Sequence, residues 1–383
     1  MIYWDYNSST PIRPEVASEL ATSLADAMPG NASSVHRSGR YWRDRLEKAR
    51  LKLAKLLGCE PREICFTSSG SEADALALKG AFLGRRDKAR TRIVASQIEH
   101  PAALGALKQL EVLGAKVTRV APGPDGRVAP ERLIAELTEE VTLCSLMWAN
   151  NETGVLQPIS QVGRACRERG IVFHTDAVQA AGKVPIHLRE IEAELVSISA
   201  HKFYGPSGIG ALFIRRGVNV EALTPGHQEL GRRGGTPSVP YAEALANALE
   251  LACADLSEEG ARLSDLRDRF ERELQSRITG VRLHGALAPR VPNTSSVEFI
   301  GADGEALLIA LDLQGICVSS GAACASGSLS PSHVLRAMGL SAAEAHSSLR
   351  FSLGAGSSSA EVDRVLDALA EHVPRARQAA MVT

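Results

Sequence analysis

The sequence predicts a two-domain α/β protein, with a large doubly wound domain around a mostly parallel sheet and a smaller α+β domain. Short apolar runs alternate with amphipathic stretches over residues 62–215, as in successive β–α–β units. Leucines and alanines recur at helical spacing over residues 241–274, which predicts one long helix that bridges the domains. Strand-like and helix-like patterns alternate again over residues 293–372. We therefore expect a large domain at residues 13–256 and a small domain that combines residues 1–12 with 257–383.

Each predicted strand is a short apolar run, and each predicted helix is a longer amphipathic segment. In the large domain, strands are expected at residues 63–67, 92–96, 116–120, 141–148, 171–175, 194–199 and 208–214. Helices are expected at residues 71–83, 101–113, 130–137 and 159–169, and Pro101 and Pro130 suit the first turns of two of them. In the small domain, strands are expected at residues 293–300, 316–319 and 348–353, and helices at residues 304–313 and 359–372.

The balance of charge excludes a general affinity for polyanions. The 383 residues include 43 Lys and Arg against 44 Asp and Glu, a formal net charge of −1, so no global field attracts nucleic acid or an anionic membrane. The chain has no apolar stretch of the roughly 20 residues that cross a bilayer. Residues 1–11 lack the basic start and apolar run of a secretory signal. We therefore expect a cytoplasmic protein without direct nucleic-acid or membrane partners.

The seven cysteines do not form a metal-binding pattern. No Cys-x-x-Cys pair occurs, and no histidine lies at metal-ligand spacing from a cysteine, so we predict no metal. Cys65, Cys144, Cys166 and Cys317 fall within apolar patterns, where a cysteine is usually a small buried hydrophobe. Cys324 instead lies in the run of small residues 319–327, where a loop buries a thiol poorly. Cys324 is therefore the candidate reactive cysteine.

Polar residues follow two of the predicted strands where each strand ends. The sequence Thr-Ser-Ser-Gly-Ser-Glu at residues 67–72 opens onto a helix, where free backbone N–H groups can bind a phosphate. A serine helix cap without any ligand explains the same pattern. Asp176 follows the strand at residues 171–175, at the edge where open α/β sheets bind ligands. A buried cation would keep Asp176 ionised, and the protonated pyridine nitrogen of pyridoxal phosphate is one such partner.

Two basic residues stand where an ordinary surface charge is unexpected. Lys202 follows the strand at residues 194–199, beside His201 and a Gly/Pro turn, where a lysine could lose its proton and form a Schiff base; a surface lysine in a turn is the alternative. Arg350 lies within the apolar run 349–353, where an unpaired charge would be costly. Either a bound carboxylate or an internal salt bridge would explain Arg350.

The segment Ser199-Ala200-His201-Lys202, followed by Tyr204-Gly205-Pro206, resembles the cofactor-lysine motif of the NifS/IscS-type cysteine desulfurases. These enzymes belong to the class V aminotransferase family and have the pyridoxal-phosphate-dependent transferase fold type I. Other segments resemble family landmarks in the same order, and the likeness covers essentially the whole chain: residues 5–11, 31–36, 99–100, 150–154, 176–179, 234–236, 319–324 and 347–354.

The resemblance implies how the cofactor, pyridoxal 5′-phosphate, would be held. Lys202 would bond to it covalently, Asp176 would pair with its pyridine nitrogen and Gln179 would contact its phenolic oxygen. His100 would stack on the ring as a catalytic residue. The phosphate would be bound by four residues of one subunit and by Thr236 of the other, which implies an obligate homodimer; the four are Gly70, Ser71, Ser199 and His201.

The resemblance also implies the substrate and the reaction. Arg350 would bind the carboxylate of L-cysteine, Asn151 would contact both cofactor and substrate, and residues from Asn31 to His36 would line the entrance. Lys202 would remove the Cα proton, and Cys324, in a loop of the small domain, would take the sulfur as a persulfide. Alanine would leave, and the sulfur would pass to an acceptor protein in iron–sulfur assembly, tRNA thiolation or DNA phosphorothioation.

Two alternatives and one departure stay open at this point. A selenocysteine lyase or another pyridoxal-phosphate C–S lyase would share the cofactor residues but would not need the Cys324 loop. A non-catalytic sulfur-relay scaffold would not need the whole set of site residues. At residues 228–231, Leu230 stands where relatives often carry arginine, which puts in doubt an ion pair at the subunit boundary.

Overall fold

The computed structural model describes residues 1–320 and 331–380. Its strands are β1 Ile2–Tyr3, β2 Ile64–Thr67, β3 Arg92–Ser96, β4 Lys116–Val120, β5 Val141–Ser145, β6 Val172–Asp176, β7 Leu195–Ser199, β8 Gly210–Ile214, β9 Val281–His284, β10 Thr294–Phe299, β11 Ile316–Cys317, β12 Ser319–Ser320 and β13 Ser348–Ser352. Its helices are α1 Pro14–Leu24, α2 Arg37–Leu57, α3 Gly70–Ala75, α4 Ala81–Gly84, α5 Pro101–Val112, α6 Pro130–Ala135, α7 Ile159–Glu168, α8 Val239–Ala254, α9 Leu256–Arg277, α10 Gly304–Leu313, α11 His333–Ala337, α12 Ala342–His346 and α13 Ser359–Ala380.

The large sheet has seven strands in the order β2-β8-β7-β6-β5-β3-β4. Neighbours from β7 to β4 are parallel, whereas β8 runs antiparallel to both β2 and β7. Every residue of β5, β7 and β8 is buried, as expected for strands that are covered on both faces. The prediction of a mostly parallel sheet at the centre of an α/β protein is confirmed.

The predicted single helix over residues 241–274 is wrong. Two helices, α8 and α9, meet at Asp255, and the chain bends there. The apolar spacing continues across the bend because α8 packs in the core of the large sheet, whereas Leu263, Phe270 and Leu274 of α9 enter the core of the small sheet. Continuous helical spacing therefore did not reveal that the two halves face different cores.

The small sheet has the strand order β12-β13-β10-β9, with antiparallel neighbours. Its core holds a cluster of aromatic rings: Trp4, Phe270 and Phe351 are fully buried, with 5.2 Å between the ring centroids of Trp4 and Phe270 and 5.0 Å between those of Phe270 and Phe351. Helices α9, α10 and α13 add apolar side chains to those of the strands themselves. This core forms beside the large sheet and contains the N-terminal strand.

The N-terminal segment ties the small sheet to the cavity described below. Strand β1 pairs in parallel with β11, and Asp5 then bridges to Ser352 at the end of β13. Over the next residues the chain crosses to the large sheet, where the backbone N–H of Thr10 donates to the carbonyl of His201 over 2.9 Å. Within the described ranges, no helix combines the length and apolar character needed to span a membrane.

The four cysteines predicted to be structural differ in burial. Cys65, Cys144 and Cys166 are buried in strands and a helix of the large sheet, as predicted. Cys317 is only partly buried, because β11 is a two-residue strand paired with β1 alone.

Candidate active site

A cavity of about 240 Å³ lies at the carboxyl ends of β6 and β7, beside the start of α3. The carboxyl ends of parallel strands meet at one edge of the sheet, so residues far apart in sequence converge there. Ten of the residues that the sequence predicted for the site line this cavity: Gly70, Ser71, His100, Asn151, Asp176, Gln179, Ser199, His201, Lys202 and Arg350.

Lys202 lies in a single 3-10 turn, Ala200–Lys202, that follows β7 directly. Its Nζ donates to the backbone carbonyls of Asn7 and Ser8, each over 2.6 Å. Tyr204, two residues later, has a φ of 66°, which is uncommon for a bulky residue. The turn therefore holds a strained backbone next to the lysine, and the amine reaches the boundary between the N-terminal segment and the cavity.

Asp176 ends β6, and its Oδ1 accepts a hydrogen bond from the N–H of Val178 over 2.8 Å. Burial, together with the nearby charge of Asp74, raises the pKa of Asp176 to about 7. Burial raises the pKa of Asp74, which also lines the cavity, to about 8. Ionising both acids is costly unless a cation faces them, so this side of the cavity suits a positively charged ring nitrogen.

A buried hydrogen-bonded network lies around these acids. His174, fully buried on β6, accepts or donates through Nδ1 to Ser145 Oγ over 3.0 Å and through Nε2 to Ser197 Oγ over 3.1 Å. Ser145 Oγ also donates to Glu99 over 3.1 Å, and His174 Nε2 lies 3.5 Å from Asp74 Oδ1. Burial raises the pKa of Glu99 and lowers that of His174, so both side chains favour their neutral forms.

His100 caps α5, where its Nδ1 accepts the N–H of Ala102 over 3.1 Å. Burial, with the nearby positive charge of Lys202, lowers the pKa of His100 to about 4. The imidazole is therefore neutral at physiological pH, and its flat, uncharged face is suited to packing against a ring. Burial also lowers the pKa of His201 to about 4. The Nδ1 atom of His201 lies 3.2 Å from Ser9 Oγ.

The end of the cavity near α3 has the features of a phosphate site. Ser69 caps the helix by accepting the N–H of Glu72. The first N–H groups of a helix point along its axis beyond the N-terminus, where an anion can accept hydrogen bonds from them. A Cβ on Gly70 would lie 2.8 Å from Val178 Cγ2 and 3.1 Å from Ser199 Cβ, distances that leave no room for a side chain. Glycine at this position therefore lets the backbone approach Ser199 closely.

Arg350 lies on β13 with its side chain almost fully buried. Nη2 of the guanidinium donates to Asp5 over 2.6 Å and Nη1 donates to the carbonyl of Asn151 over 3.0 Å, so the internal salt bridge left open by the sequence is present. Among the described residues, Arg350 Nε and Asn151 Oδ1 have no hydrogen-bond partner although both atoms are buried. The salt bridge thus fixes the guanidinium and leaves a donor for a carboxylate.

Three of the predicted site residues lie outside the cavity of the described chain. Asn31 accepts the N–H of Ser33 in a surface turn, and His36, which is exposed, caps α2. Thr236 lies exposed in the loop before α8. Cys324 falls outside the described residues, so its predicted position stays a prediction.

Two cavity neighbours were not predicted as site residues. Asn7, 2 % exposed, contacts Lys202, Gln179 and Lys183 through its backbone carbonyl and side-chain oxygen. Lys183 follows Gln179 by four residues. Asn7 belongs to residues 5–11, which resemble a landmark of the cysteine desulfurases, but nothing in the sequence places that segment beside Lys202. Lys183 could have been found from its spacing of four residues from Gln179, which suits contact between the two side chains.

The Aminotransferase class-V family model matches residues 2–365. The chain belongs to this family. A cysteine desulfurase from Trichormus azollae is 43% identical over 378 residues, which cover 98% of this chain and 94% of that protein. The cysteine desulfurase IscS from Dictyoglomus turgidum is 41% identical over 377 residues, covering 98% and 95% of the two chains. These relatives confirm the resemblance predicted from the sequence.

A solved structure described as a NifS-like protein superposes with a TM-score of 0.90, at 35% identity, covering 97% of this chain and 99% of that one. Because nearly the whole of both chains is superposed, the likeness extends to the small sheet as well as the large one. The predicted fold, the pyridoxal-phosphate-dependent transferase fold type I, is confirmed.

Proposed function

We propose that this chain is a pyridoxal-phosphate-dependent cysteine desulfurase that converts L-cysteine to L-alanine and holds the sulfur as a persulfide on Cys324. The observation that carries the proposal is one cavity in which an amine, a buried carboxylate and a fixed guanidinium meet, from Lys202, Asp176 and Arg350. Membership of the class-V family and the relatives named cysteine desulfurase support the same activity.

The cavity fits pyridoxal phosphate in its chemistry. Asp176, whose ionisation burial opposes, would pair with the pyridine nitrogen, and the neutral ring of His100 would stack. Gln179 would face the phenolic oxygen and Lys202 would hold the cofactor covalently. The phosphate would lie at the tight turn before α3, held by Gly70, Ser71, Ser199 and His201. When bound, the cofactor supplies an electron sink for negative charge at the substrate Cα.

The chain's own residues would then perform three tasks. The unpaired Nε of Arg350 binds the substrate carboxylate, and Asn151 Oδ1 lies nearby as an acceptor. Lys202 Nζ removes the Cα proton. Cys324, as a thiolate, attacks the substrate sulfur: the Cβ–S bond breaks with its electron pair left on Cβ, and an S–S bond forms. After a proton is added to Cβ, one cysteine and one thiol have become one alanine and one persulfide.

Both ends of the segment that contains Cys324 lie beside the cavity. Ser319 of β12 is paired with Arg350 of β13. At the other end, Ser332 Oγ donates to the buried carboxyl of Glu152, and His333 contacts the carbonyl of Glu99 at 3.0 Å. The segment that contains Cys324 is therefore attached at both ends next to the substrate site, which supports Cys324 as the sulfur acceptor.

The proposal is tested with two variants. Cys324→Ser should bind the cofactor with an unchanged absorbance spectrum and should lose sulfide and alanine release from cysteine by at least about 100-fold, because the nucleophile is gone. Lys202→Ala should lose the spectrum of the covalently held cofactor. Cys253→Ser, on the exposed thiol of α8, is the matched control and should keep full turnover.

Two results would contradict the proposal. Turnover of cysteine by Cys324→Ser at the wild-type rate would remove the persulfide step and favour a simple lyase. A wild-type protein that takes up no pyridoxal phosphate would remove the activity altogether.

We also propose that the enzyme works as a homodimer and passes its sulfur to an acceptor protein. Thr236 is exposed in the loop before α8, where it could reach the phosphate of the partner's cofactor. The molar mass in solution and the cofactor affinity of Thr236→Ala test this arrangement. A catalytic cysteine that must return to a free thiol suits the reducing cytoplasm. Trapping the persulfide with a bound partner would show whether the acceptor serves iron–sulfur assembly, tRNA thiolation or DNA phosphorothioation.

A further inference from the structure

A buried chain of hydrogen bonds joins two carboxyl groups at the candidate active site. Ser145 Oγ lies 3.1 Å from Glu99 Oε2 and 3.0 Å from His174 Nδ1. On the other side of the imidazole, Nε2 lies 3.1 Å from Ser197 Oγ and 3.5 Å from Asp74 Oδ1. The first four side chains are fully buried, whereas Asp74 lines the cavity. The chain therefore leads from the protein interior to the wall of the cavity.

The surroundings of Glu99 decide which of its two oxygens can carry a proton. Oε1 accepts hydrogen bonds from the Ser96 hydroxyl and from the backbone N–H of Met147, the latter over 2.9 Å. Because an N–H can only donate, Oε1 stays an acceptor, and a protonated Glu99 carries its proton on Oε2, which faces Ser145. The carboxyl group of Glu99 therefore accepts from Ser145 when ionised and donates to it when protonated.

The state of Glu99 fixes the direction of the whole chain, because each hydroxyl group has a single proton to donate. If Glu99 is ionised, Ser145 donates to it, and His174 then donates through Nδ1 and accepts through Nε2. If Glu99 is protonated, the bonds reverse: Ser145 donates to Nδ1, and the proton of His174 lies on Nε2. Burial lowers the pKa of His174 and keeps the imidazole neutral, so it carries one N–H in either arrangement.

The direction of the chain decides whether Asp74 has donors. Among the described residues, Asp74 Oδ1 is buried without a hydrogen-bond partner. With the proton of His174 on Nε2, that N–H is on the side of Oδ1 and leaves the Ser197 hydroxyl free to donate to Asp74, which favours the ionised carboxylate. With the proton on Nδ1, Nε2 takes the Ser197 proton instead. An ionised Glu99 thus goes with a protonated Asp74, and the reverse.

Of the two acids, Glu99 has more hydrogen-bond donors. Burial raises the pKa of Glu99, and hydrogen bonds from Ser96 and Met147 oppose the rise. Burial also raises the pKa of Asp74 to about 8, with a hydrogen bond from Ser197 opposing it. Since hydrogen bonds to a carboxylate favour its ionised form, Glu99 is the more favourable place for a negative charge.

The other titratable groups around the chain include one acid, one cation and several neutral groups. Burial raises the pKa of Asp176, at the end of β6, and the positive charge of Lys202 partly offsets the rise. The neutral groups lie near Glu99: Cys144, His100 and His333. Burial raises the pKa of the thiol and lowers the pKa of both imidazoles, so these three add no charge to the chain at physiological pH.

We propose that Glu99 and Asp74 share a single negative charge through this chain, and that Glu99 is a positioning residue that keeps the charge away from the cavity. Asp74 then stays protonated, and Asp176 can ionise opposite the ring nitrogen, because a charge on Asp74 opposes that ionisation. The inference rests on the proposed function, since the charge of Asp176 matters through its pairing with the cofactor.

The test locates the proton of His174 by ¹⁵N NMR in the cofactor-free full chain with labelled histidine, at about pH 9, above the pKa of about 8 of Asp74. In Glu99→Gln, the amide oxygen must accept from Met147, so the amide NH2 donates to Ser145 and the proton of His174 should lie on Nε2. In Asp74→Asn the charge stays on Glu99, and the proton should lie on Nδ1. The signals of His174 are those that His174→Gln lacks.

Ser145→Ala is the matched control, because it interrupts the chain and keeps both acids. Nδ1 then loses its partner, so the proton should lie on Nε2 whether or not Asp74→Asn is added. If Glu99→Gln does not fold, Asp74→Asn and its double variant with Ser145→Ala provide the same comparison. The same tautomer of His174 in Glu99→Gln and Asp74→Asn overturns the proposal, and so does a proton that remains on Nδ1 in the double variant.

The pH dependence of cofactor binding gives a second measurement, by absorbance titration with pyridoxal phosphate. Glu99→Gln places the charge on Asp74, next to Asp176, and should raise the pH midpoint of binding by about one unit. Asp74→Asn removes that neighbouring charge and should not raise the midpoint. An equal rise in both variants would show that only the packing of the two side chains matters.

The NMR measurement separates this inference from the proposed function. If the wild-type chain takes up no pyridoxal phosphate, the proposed function fails, yet the tautomer of His174 still reports how Glu99 and Asp74 share their charge. If the wild type binds the cofactor and turns over cysteine while Glu99→Gln and Asp74→Asn have the same tautomer, only the role of Glu99 fails.

Discussion

At the scale of single residues, the site contains buried carboxyl groups that are held partly in their protonated, uncharged forms. Asp74, Glu99 and Asp176 are buried close together with one histidine, and burial raises the pKa of each acid. Three carboxylates cannot all ionise there at little cost, so protons stay on some of them until a cation enters. The cavity is thereby prepared for a ring that brings its own positive charge.

The first prediction concerns Asp74, whose pKa is raised to about 8 from 3.8 by burial. Between these values the native state keeps a proton that the unfolded chain has lost, so the contribution of Asp74 to stability is complete below pH 3.8 and is lost as the pH rises through about 8. In the cofactor-free protein, Asp74→Asn should therefore gain stability relative to wild type with rising pH, on the order of 4 kcal/mol between pH 5 and 8. Urea unfolding at both values measures it.

Asp265→Asn, at an exposed position of α9, serves as the control for the exchange of an aspartate for an asparagine. A difference between Asp74→Asn and wild type that stays constant with pH would mean that Asp74 is ionised in the native protein throughout this range.

At the scale of elements, the loop before α8 is held in an unfavourable conformation by a buried ion pair. Glu229 and Leu230 have φ values of 49° and 61°. The carboxylate of Glu229 is 3 % exposed. It accepts hydrogen bonds from both terminal nitrogens of Arg50 on α2 and from the backbone N–H of Phe66 on β2. These bonds fix the loop on the large sheet and set where Thr236 emerges.

The second prediction follows from Leu230, which is 67 % exposed and so gains little from burial. A left-handed backbone costs a non-glycine residue roughly 1–2 kcal/mol, so Leu230→Gly should raise the free energy of unfolding by about 1 kcal/mol. Leu313→Gly is the matched control, since Leu313 is 83 % exposed but helical, and it should lower stability by about 0.5–1 kcal/mol. Thermal unfolding of both variants measures the two changes in stability. A loss of stability in Leu230→Gly would show that the contacts of the leucine outweigh its backbone strain.

At the scale of the whole molecule, the cavity depends on a short segment that joins two cores. Ile2 and Trp4 pack in the core of the small sheet, and three residues later Asn7 reaches the amines of the large sheet. Asn7 also donates to Thr294 on β10 over 2.8 Å and accepts from Asn293 over 3.1 Å. One asparagine thus fixes how the small sheet meets the floor of the cavity.

The third prediction is that Asn7→Ala lowers the free energy of unfolding by about 2–4 kcal/mol, because it leaves several buried polar partners without hydrogen bonds. Asn247→Ala on α8 is the control: its side chain is half-buried, but its partners Lys52 and Glu19 can be solvated by water, so the change should cost less than about 1 kcal/mol. Urea denaturation of the two variants provides the comparison. Equal effects would mean that water replaces the lost contacts of Asn7.

The sequence alone determined the doubly wound core and most of the candidate site. Short runs rich in apolar residues located every strand of the large sheet. The interior strands β5, β7 and β8 are buried on both faces, which favours such runs, whereas the edge strand β4 is only partly buried. Lys202 and Asp176 were found for a related reason. Asp176 is the last residue of β6 and Lys202 lies three residues after β7, and the carboxyl ends of these strands share one edge of the sheet. The family resemblance then supplied the roles that spacing could not.

Only the tertiary structure decided which polar groups face one another. The bend at Asp255 was hidden because the same helical spacing serves two cores. The bonds of Asn7 to both lysines join positions 195 and 176 residues apart, and the salt bridge of Arg350 with Asp5 joins positions 345 apart. A local pattern carries no information on such contacts, since they depend on where the two sheets meet. The sequence therefore showed which residues could react, and the packing of the two sheets decided how their charges and protons are shared.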